Sequence, residues 1–231
     1  MKRFFKTAAV GDAAGGYTVL LDSKPMRTPA KAPFVVCSKK LAEAIAAEWQ
    51  AQGETIKPAA LPLTRLAGTA IDLVAQRREP IVAEIVKYAA TDLVCYRAEA
   101  PSELAARQHR AWQPHLDWAG ACYAPLTVTA GIAPVMQTPE ALAAYRDAVA
   151  AYDDMTLTAL HLATTTLGSL VLALALIEGR IAADEAFAAA ELDQHFQIER
   201  WGEDAEAMAR RAAVRDDVGI AARFAALHRA A

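Results

Sequence analysis

The chain has 231 residues, enough for one large domain or two small ones around a proper core. Hydrophobic residues make up 55% and charged residues 22%, which excludes a disordered protein. The net charge of −3 comes with Lys and Arg scattered along the chain, so the clustered basic footprint of a nucleic-acid binder is missing.

The N-terminal segment predicts a small meander. "RFFKTAAV" is strand-like, "GDAAGG" is a turn, and "YTVLLD" alternates Tyr17, Val19 and Leu21 with Thr18, Leu20 and Asp22. "DSKP" is a second turn and "FVVC" a further strand ending at Ser38, with Pro25, Pro29 and Pro33 suited to edges. From Ser38 the period changes: Ser38 caps a helix with the stripe Leu41, Ile45, Trp49. "GETIKPAALP" breaks it. Thr64 is the expected cap of the next helix, with Leu66, Ala67, Ala70, Ile71 and Val74 on one face. Pro80 suits a helix start and is followed by Val82, Ile85, Val86 and Ala89.

"DLVCYR" reads as extended. Ser102 opens a helix through Trp112 to Trp118, with Pro114 bending it. "LTVTAGIAPV" is extended, and Thr138-Pro139-Glu140 starts another helix. Asp153 or Asp154 caps a long apolar helix over 156–178 that stops at Gly179, and three further helices are expected near 183–201, 203–214 and 217–229. The expected class is α+β: a β-rich N-terminal domain with one helix over 1–60, then a helical domain over 61–231.

Cys37, Cys95 and Cys122 form no CxxC and are odd in number, which suggests neither a disulfide framework nor a zinc knuckle. "LGSLVLALALI" is too short to span a bilayer and is closed by Glu178, Gly179 and Arg180. "MKRFF" has a basic start, but "KTAAVGDAAGG" supplies no apolar run behind it.

Catalytic motifs are scarce. GxGxxG, GxxxxGK[ST], GxSxG and HExxH are all absent. "GDAAGG" joins two strands and leads into no helix, so it is a hairpin turn and not a phosphate cradle. His109, His115 and Asp117 form the best metal-like cluster, but six residues separate the histidines where zinc favours i and i+4. No metal and no cofactor are expected. Asp72 and Asp92 could form an acid/base pair with His109, which keeps a small-molecule enzyme as the alternative. A solvated helix face explains Asp72 as well, and a cap or turn explains Asp92. His161 reads as a core histidine, and Cys95 has no base nearby in sequence.

The stretch "LDQHFQIERWGED" carries the clearest oddity. On one continuous 183–201 helix, at about 100° per residue, Phe187, Gln194, Ile198 and Trp201 share one side, and Leu192 and Phe196 the other. Asp193 and Gln197 lie along one seam between them, His195 and Glu199 along the other. A helix with two apolar stripes must be covered twice, by its own fold or by its fold and a partner. Gly202 ends it as a C′ glycine.

The ordered blocks "RFFKTAAV", "GYTVLLDSKPMRTP", "LAEAIAAEWQAQGETIKPAALPLTRLAGTAID", "YAATDLVCYRAEAP", "QHRAWQPHLDW", "LTVTAGIAPVMQ" and "FQIERWGEDAEA" span nearly the whole chain. Together they resemble the ATP synthase assembly factors that chaperone the free alpha subunit of the catalytic head. The resemblance implies a non-enzymatic, ATP-independent chaperone, monomeric when free, with the alpha subunit as partner and no membrane insertion. It also implies a critical acidic residue in the helix before "WG". That position falls on Asp193, where relatives have Glu, with Glu191 nearby. The implied partner-binding residues are Asp193, Glu191, Phe196, Gln197 and Trp201. Eukaryotic members work in the mitochondrial matrix behind a transit peptide. The start of this chain resembles a bacterial, cytoplasmic member instead.

Overall fold

The computed structural model describes residues 1–131 and 133–230. Ile132, within the stretch expected to be extended, lies outside the described residues. The chain divides into two compact units. Unit 1 comprises Met1–Arg78, Asp153–Ala159 and Arg223–Ala231; unit 2 comprises Glu79–Tyr152 and Leu160–Ala222. Unit 1 therefore runs past the expected limit at residue 60 and takes in two later stretches of chain. The class is α+β, as the patterning implies.

Unit 1 is built on a three-stranded antiparallel sheet, β1 (Ala8–Ala13), β2 (Gly16–Leu21) and β3 (Lys24–Pro25), in the order β1-β2-β3. The first strand starts later than expected and runs through Gly11, Asp12 and Ala13, which pair with Thr18, Tyr17 and Gly16. The turn is thus two residues, Ala14-Gly15, not all of "GDAAGG". Gly16 has φ 152°, and a Cβ there would meet the Val36 carbonyl oxygen at 2.4 Å, because Val36 exchanges both backbone hydrogen bonds with Tyr17. "FVVC" contributes this single bridge rather than a full strand. Asp22 and Ser23 both have positive φ, the conformation of a tight two-residue hairpin turn. The Asp22 carboxylate is fixed there by the backbone N–H groups of Thr7 first and then Lys6, which hold it below the usual carboxylate range.

Helix α1 (Lys39–Gln50) lies on β1 and β2, and its Leu41, Ala42, Ile45 and Ala46 are buried. Its expected cap is present: Ser38 Oγ accepts from the Leu41 N–H at 3.3 Å. Helix α2 (Pro62–Asp72) departs from expectation. Thr64 lies inside it and does not cap it. The orphan N–H groups of its first turn are met from α1, where Glu48 accepts from Leu63 N (2.7 Å), Thr64 N (3.0 Å) and Thr64 Oγ1 (2.8 Å). A carboxylate on a helix N-terminus also suits the helix dipole. The buried face is Leu63, Ala67, Gly68 and Ala70, with Leu66 and Ile71 only half-buried. The later stretches complete the unit: Phe224 is fully buried, Ser38 Oγ donates to the Leu227 carbonyl at 2.6 Å, and His228 pairs with Asp153 at 3.0 Å.

Unit 2 is helical. Helix α3 (Arg78–Ala90) buries Val82, Ile85, Val86 and Ala89, the expected face. A short 3-10 turn at Leu93–Cys95 leads into β4 (Tyr96–Arg97), which pairs in parallel with β5 (Thr129–Ala130). Helix α4 (Ser102–Cys122) runs through Pro114, and its Trp112 is fully buried with Nε1 donating to the Ala189 carbonyl at 2.7 Å. Helix α5 (Pro139–Ala150) is capped by Thr138 as expected.

The long apolar helix is two helices, α6 (Asp154–Leu167) and α7 (Leu170–Ile177). Gly168, at φ 65°, turns the chain, and Ser169 caps α7 by accepting from Leu172 N at 3.0 Å. Every residue of α7 is buried. The expected 183–201 helix also divides, at Glu191, into α8 (Ala183–Ala190) and α9 (Leu192–Trp201). The last two expected helices are one, α10 (Ala205–Arg229). No described helix is long and apolar enough to cross a membrane.

Candidate partner-binding site

Helix α9 packs one side on α4. Phe196 is 3% exposed and lies between the guanidinium groups of Arg200 (4.2 Å from the ring centroid) and Arg107 (5.3 Å). The two arginines are held in turn by carboxylates: Arg107 pairs with Glu199 at 2.7 Å and Glu103 at 2.8 Å, and Arg200 with Glu103 at 3.0 Å. Hydrogen bonds from Arg107 first, and then Arg200, hold the Glu103 carboxyl below the usual range. This network seats the Phe196 ring against α4, with Gln194 and Ile198 on the opposite side half-buried and His195, Gln197 and Trp201 exposed.

The five residues singled out from the sequence therefore divide. Phe196 is in the interior, so it supports the helix and does not meet a partner directly. Glu191, at the break between α8 and α9, is mostly buried and pairs with Arg211 of α10 at 3.6 Å. Asp193 is half-buried and accepts from Gln108 Nε2 at 2.8 Å; Gln108 in turn accepts from the Ala98 N–H at 2.7 Å. Both carboxylates thus already have partners within unit 2. Gln197 is exposed, and Trp201 is 77% exposed at the helix end, where Gly202 at φ 87° turns the chain away. Phe187 belongs to the separate α8 and is not part of the α9 stripe.

The residues of the enzyme alternative do not look like a catalytic set. Asp72 is half-buried beside the exposed Arg65 and Thr69, as the solvated-face reading expects, and it is also tied to the 28–30 loop: it accepts from Thr28 Oγ1 at 2.6 Å and from the Ala30 N–H at 3.0 Å. Asp92 is fully buried and accepts from Val94 N (3.2 Å) and Val171 N (3.0 Å), closing the 3-10 turn and the N-terminus of α7. Burial pushes its carboxyl up to about 6. His109 is exposed, His115 half-buried and Asp117 exposed. Among the described residues no group of His, Cys, Asp and Glu is arranged to hold a metal ion. His161 is not a core residue: it is partly exposed and lies 3.4 Å from Glu84. Cys95 is buried, and burial, then the nearby Asp92, pushes its thiol up to about 12, far from a nucleophile.

A feature missed by sequence reasoning lies in unit 1. An open groove of about 850 Å³ is walled by the chain start, the β2–β3 turn, the 26–29 loop, α1 and α2. Phe4, Phe5, Met26, Phe34, Trp49 and Leu73 supply its apolar surface. Phe5 contacts Phe4 and Trp49 edge to face, with centroids 5.5 and 5.7 Å apart. Trp49 Nε1 donates to Thr64 Oγ1 at 3.1 Å. The "RFF" start was the available signal, masked by its strand-like composition.

The model of the ATP12 chaperone protein family matches residues 2–120. The crystal structure of Atp12 from Paracoccus denitrificans superposes with a TM-score of 0.94 at 44% identity, covering 98% of each chain. The chain belongs to the ATP12 chaperone family. An Asp-to-Lys mutant of the Paracoccus Atp12p gives a TM-score of 0.95 at 44% identity, covering 98% of this chain and 97% of that one. Protein atp12, mitochondrial, of Schizosaccharomyces pombe is 26% identical over 214 residues, 87% of this chain and 74% of the yeast protein. The ATP12 match by family model takes in all of the groove-lining residues except Met1, together with α4 as far as Gly120, the helix against which α9 rests.

Proposed function

We propose that this chain is an assembly chaperone that binds the unassembled alpha subunit of ATP synthase and keeps it from aggregating, without nucleotide hydrolysis. An unassembled subunit exposes apolar surface destined for its neighbours, and such surface aggregates. A binder that covers it and is displaced by the true neighbour needs no ATP. The observation that carries the reading is membership of the ATP12 chaperone family, supported by structural likeness to Atp12 over nearly the full length. On this reading the exposed Gln197 and Trp201 of α9 contribute to the contact together with the half-buried Asp193, and Glu191, paired with Arg211 at the α8–α9 break, backs it from behind. Phe196 supports it from beneath. The setting proposed is the cytoplasm of a bacterium, with the free chaperone a monomer.

The test is light scattering of refolding alpha subunit with and without the chain. Suppression at stoichiometric ratio, with no nucleotide present, is the expected result. Unchanged aggregation at that ratio refutes the reading.

A further inference from the structure

The groove in unit 1 has the composition of a binding surface and no role in the fold that would require it to stay open. Its rim carries three of the large hydrophobic residues the chain leaves exposed: Met1, Phe4 at 63% and Leu73 at 43%. A small-molecule site encloses its ligand and buries most of it. Here the apolar surface continues past the cavity onto the rim, which suits an occupant larger than the groove. Exposed apolar patches rimmed by polar groups mark protein-binding sites.

The charged lining says what kind of segment fits. Lys24, Arg27 and Arg65 face Asp22 and Asp72 around the groove. Both carboxylates are occupied, Asp22 by Lys6 and Thr7 and Asp72 by Thr28 and Ala30. The cations are not. Among the described residues Lys24 and Arg65 have no ion-pair or hydrogen-bond partner through their side chains, and Arg27 donates only to the Lys31 carbonyl at 2.9 Å. The charges left unpaired at the groove are therefore positive, and they complement carboxylates. We propose that the groove holds an apolar segment of the client polypeptide flanked by acidic residues. The proposal rests on the chaperone reading above and gives it a second contact, in a unit separate from α9.

Gly68 offers a way to close the groove. It lies on α2 among the lining residues, and a Cβ there would meet only Pro29 Cδ, at 3.9 Å. Gly68 is buried on α2 but lines the groove, so a Cβ is accommodated there and a large side chain takes up groove volume. In the experiment, labelled chain is titrated with free alpha subunit and followed by fluorescence anisotropy, with folding of each variant checked by circular dichroism. The expected result is binding weaker by about tenfold or more for Gly68→Phe and, independently, for the double variant Lys24→Glu/Arg65→Glu. The deficit of the double variant should shrink at high salt, as screening predicts. Both cations are exposed, so this variant carries the test even if Gly68→Phe fails to fold. Wild-type affinity in the folded variants overturns the groove proposal and leaves the chaperone reading standing. No binding by the wild-type chain overturns both. Sedimentation of the free chain supplies the remaining arm: a concentration-dependent dimer abolished by Gly68→Phe would place a second copy in the groove and overturn the client segment.

Discussion

Two aspartates, Asp92 in the core and Asp153 at the surface, give the molecule opposite responses to pH. Asp92 is raised from an ordinary 3.8 to about 6 by burial, which its hydrogen bonds from Ser169, Val171 and Val94 only partly offset. A carboxyl raised in the folded state binds its proton more tightly there than in the unfolded chain. Its contribution is therefore greatest below 3.8 and is lost as pH rises through 6, by about 3 kcal/mol at most. Asp153 runs the other way. Burial pushes it up, but bonds from His228 and Thr156 outweigh that and hold it well below the usual range, so its contribution fades in acid. The stability advantage of wild type over Asp92→Asn should narrow between pH 4 and pH 6.5 in urea melts. An advantage that widens over that range would contradict the assignment. Asp193 poses a different question, because it bonds to a Gln108 that is only 1% exposed. Asp193→Asn keeps an acceptor for that amide and should stay within about 0.5 kcal/mol of wild type. Asp193→Lys leaves the amide unpaired and should cost about 1–3 kcal/mol. If the charge meets the client, alpha-subunit affinity falls in both variants; pull-downs beside melts separate the two effects.

At the scale of one helix, α9 shows how a polar sequence can carry two aromatics for two purposes. Phe196 is sealed between two arginines against α4, whereas Trp201 projects from the last turn. Phe196→Ala should therefore cost about 3–5 kcal/mol of stability. Trp201→Ala should leave stability within about 0.5 kcal/mol of wild type and weaken alpha-subunit binding. Thermal melts and affinity measured on the same preparations check both. A Trp201→Ala protein that binds normally removes the helix end from the contact.

Across the chain, unit 1 is assembled from residues far apart in sequence. Ser38, capping α1, donates to Leu227 near the end of α10, and Phe224 sits fully buried in the same unit. Phe224→Ala should lower stability by about 3–5 kcal/mol, which for a protein of this size is a fall of about 6–20 °C in the melting midpoint. Differential scanning calorimetry reads this directly. A shift under about 2 °C would show that the C-terminal stretch is dispensable to unit 1.

Local chemistry alone determined much of this protein. Ser38 and Thr138 have the short hydroxyl side chains that accept from an exposed N–H, and both cap where expected. The period-four stripe of α1 and the Val82-Ile85-Val86-Ala89 face of α3 were visible because each helix keeps a polar side against which the apolar side stands out. The α+β class followed from the change of period at Ser38. Where that contrast vanished, the sequence was mute. "LGSLVLALALI" is apolar on every side, so its periodicity could not show that Gly168 and Ser169 divide α6 from α7. The start of α2 was misplaced because its cap is a carboxylate from another helix, Glu48, and not a neighbour in sequence. The α9 residues were legible as unusual, but which aromatic faces inward depended on Arg107 and Glu103, some ninety residues upstream. The groove was illegible for the same reason. Phe4, Trp49 and Leu73 are unremarkable one by one, and only the packing of the sheet with α1 and α2 brings them to a common surface.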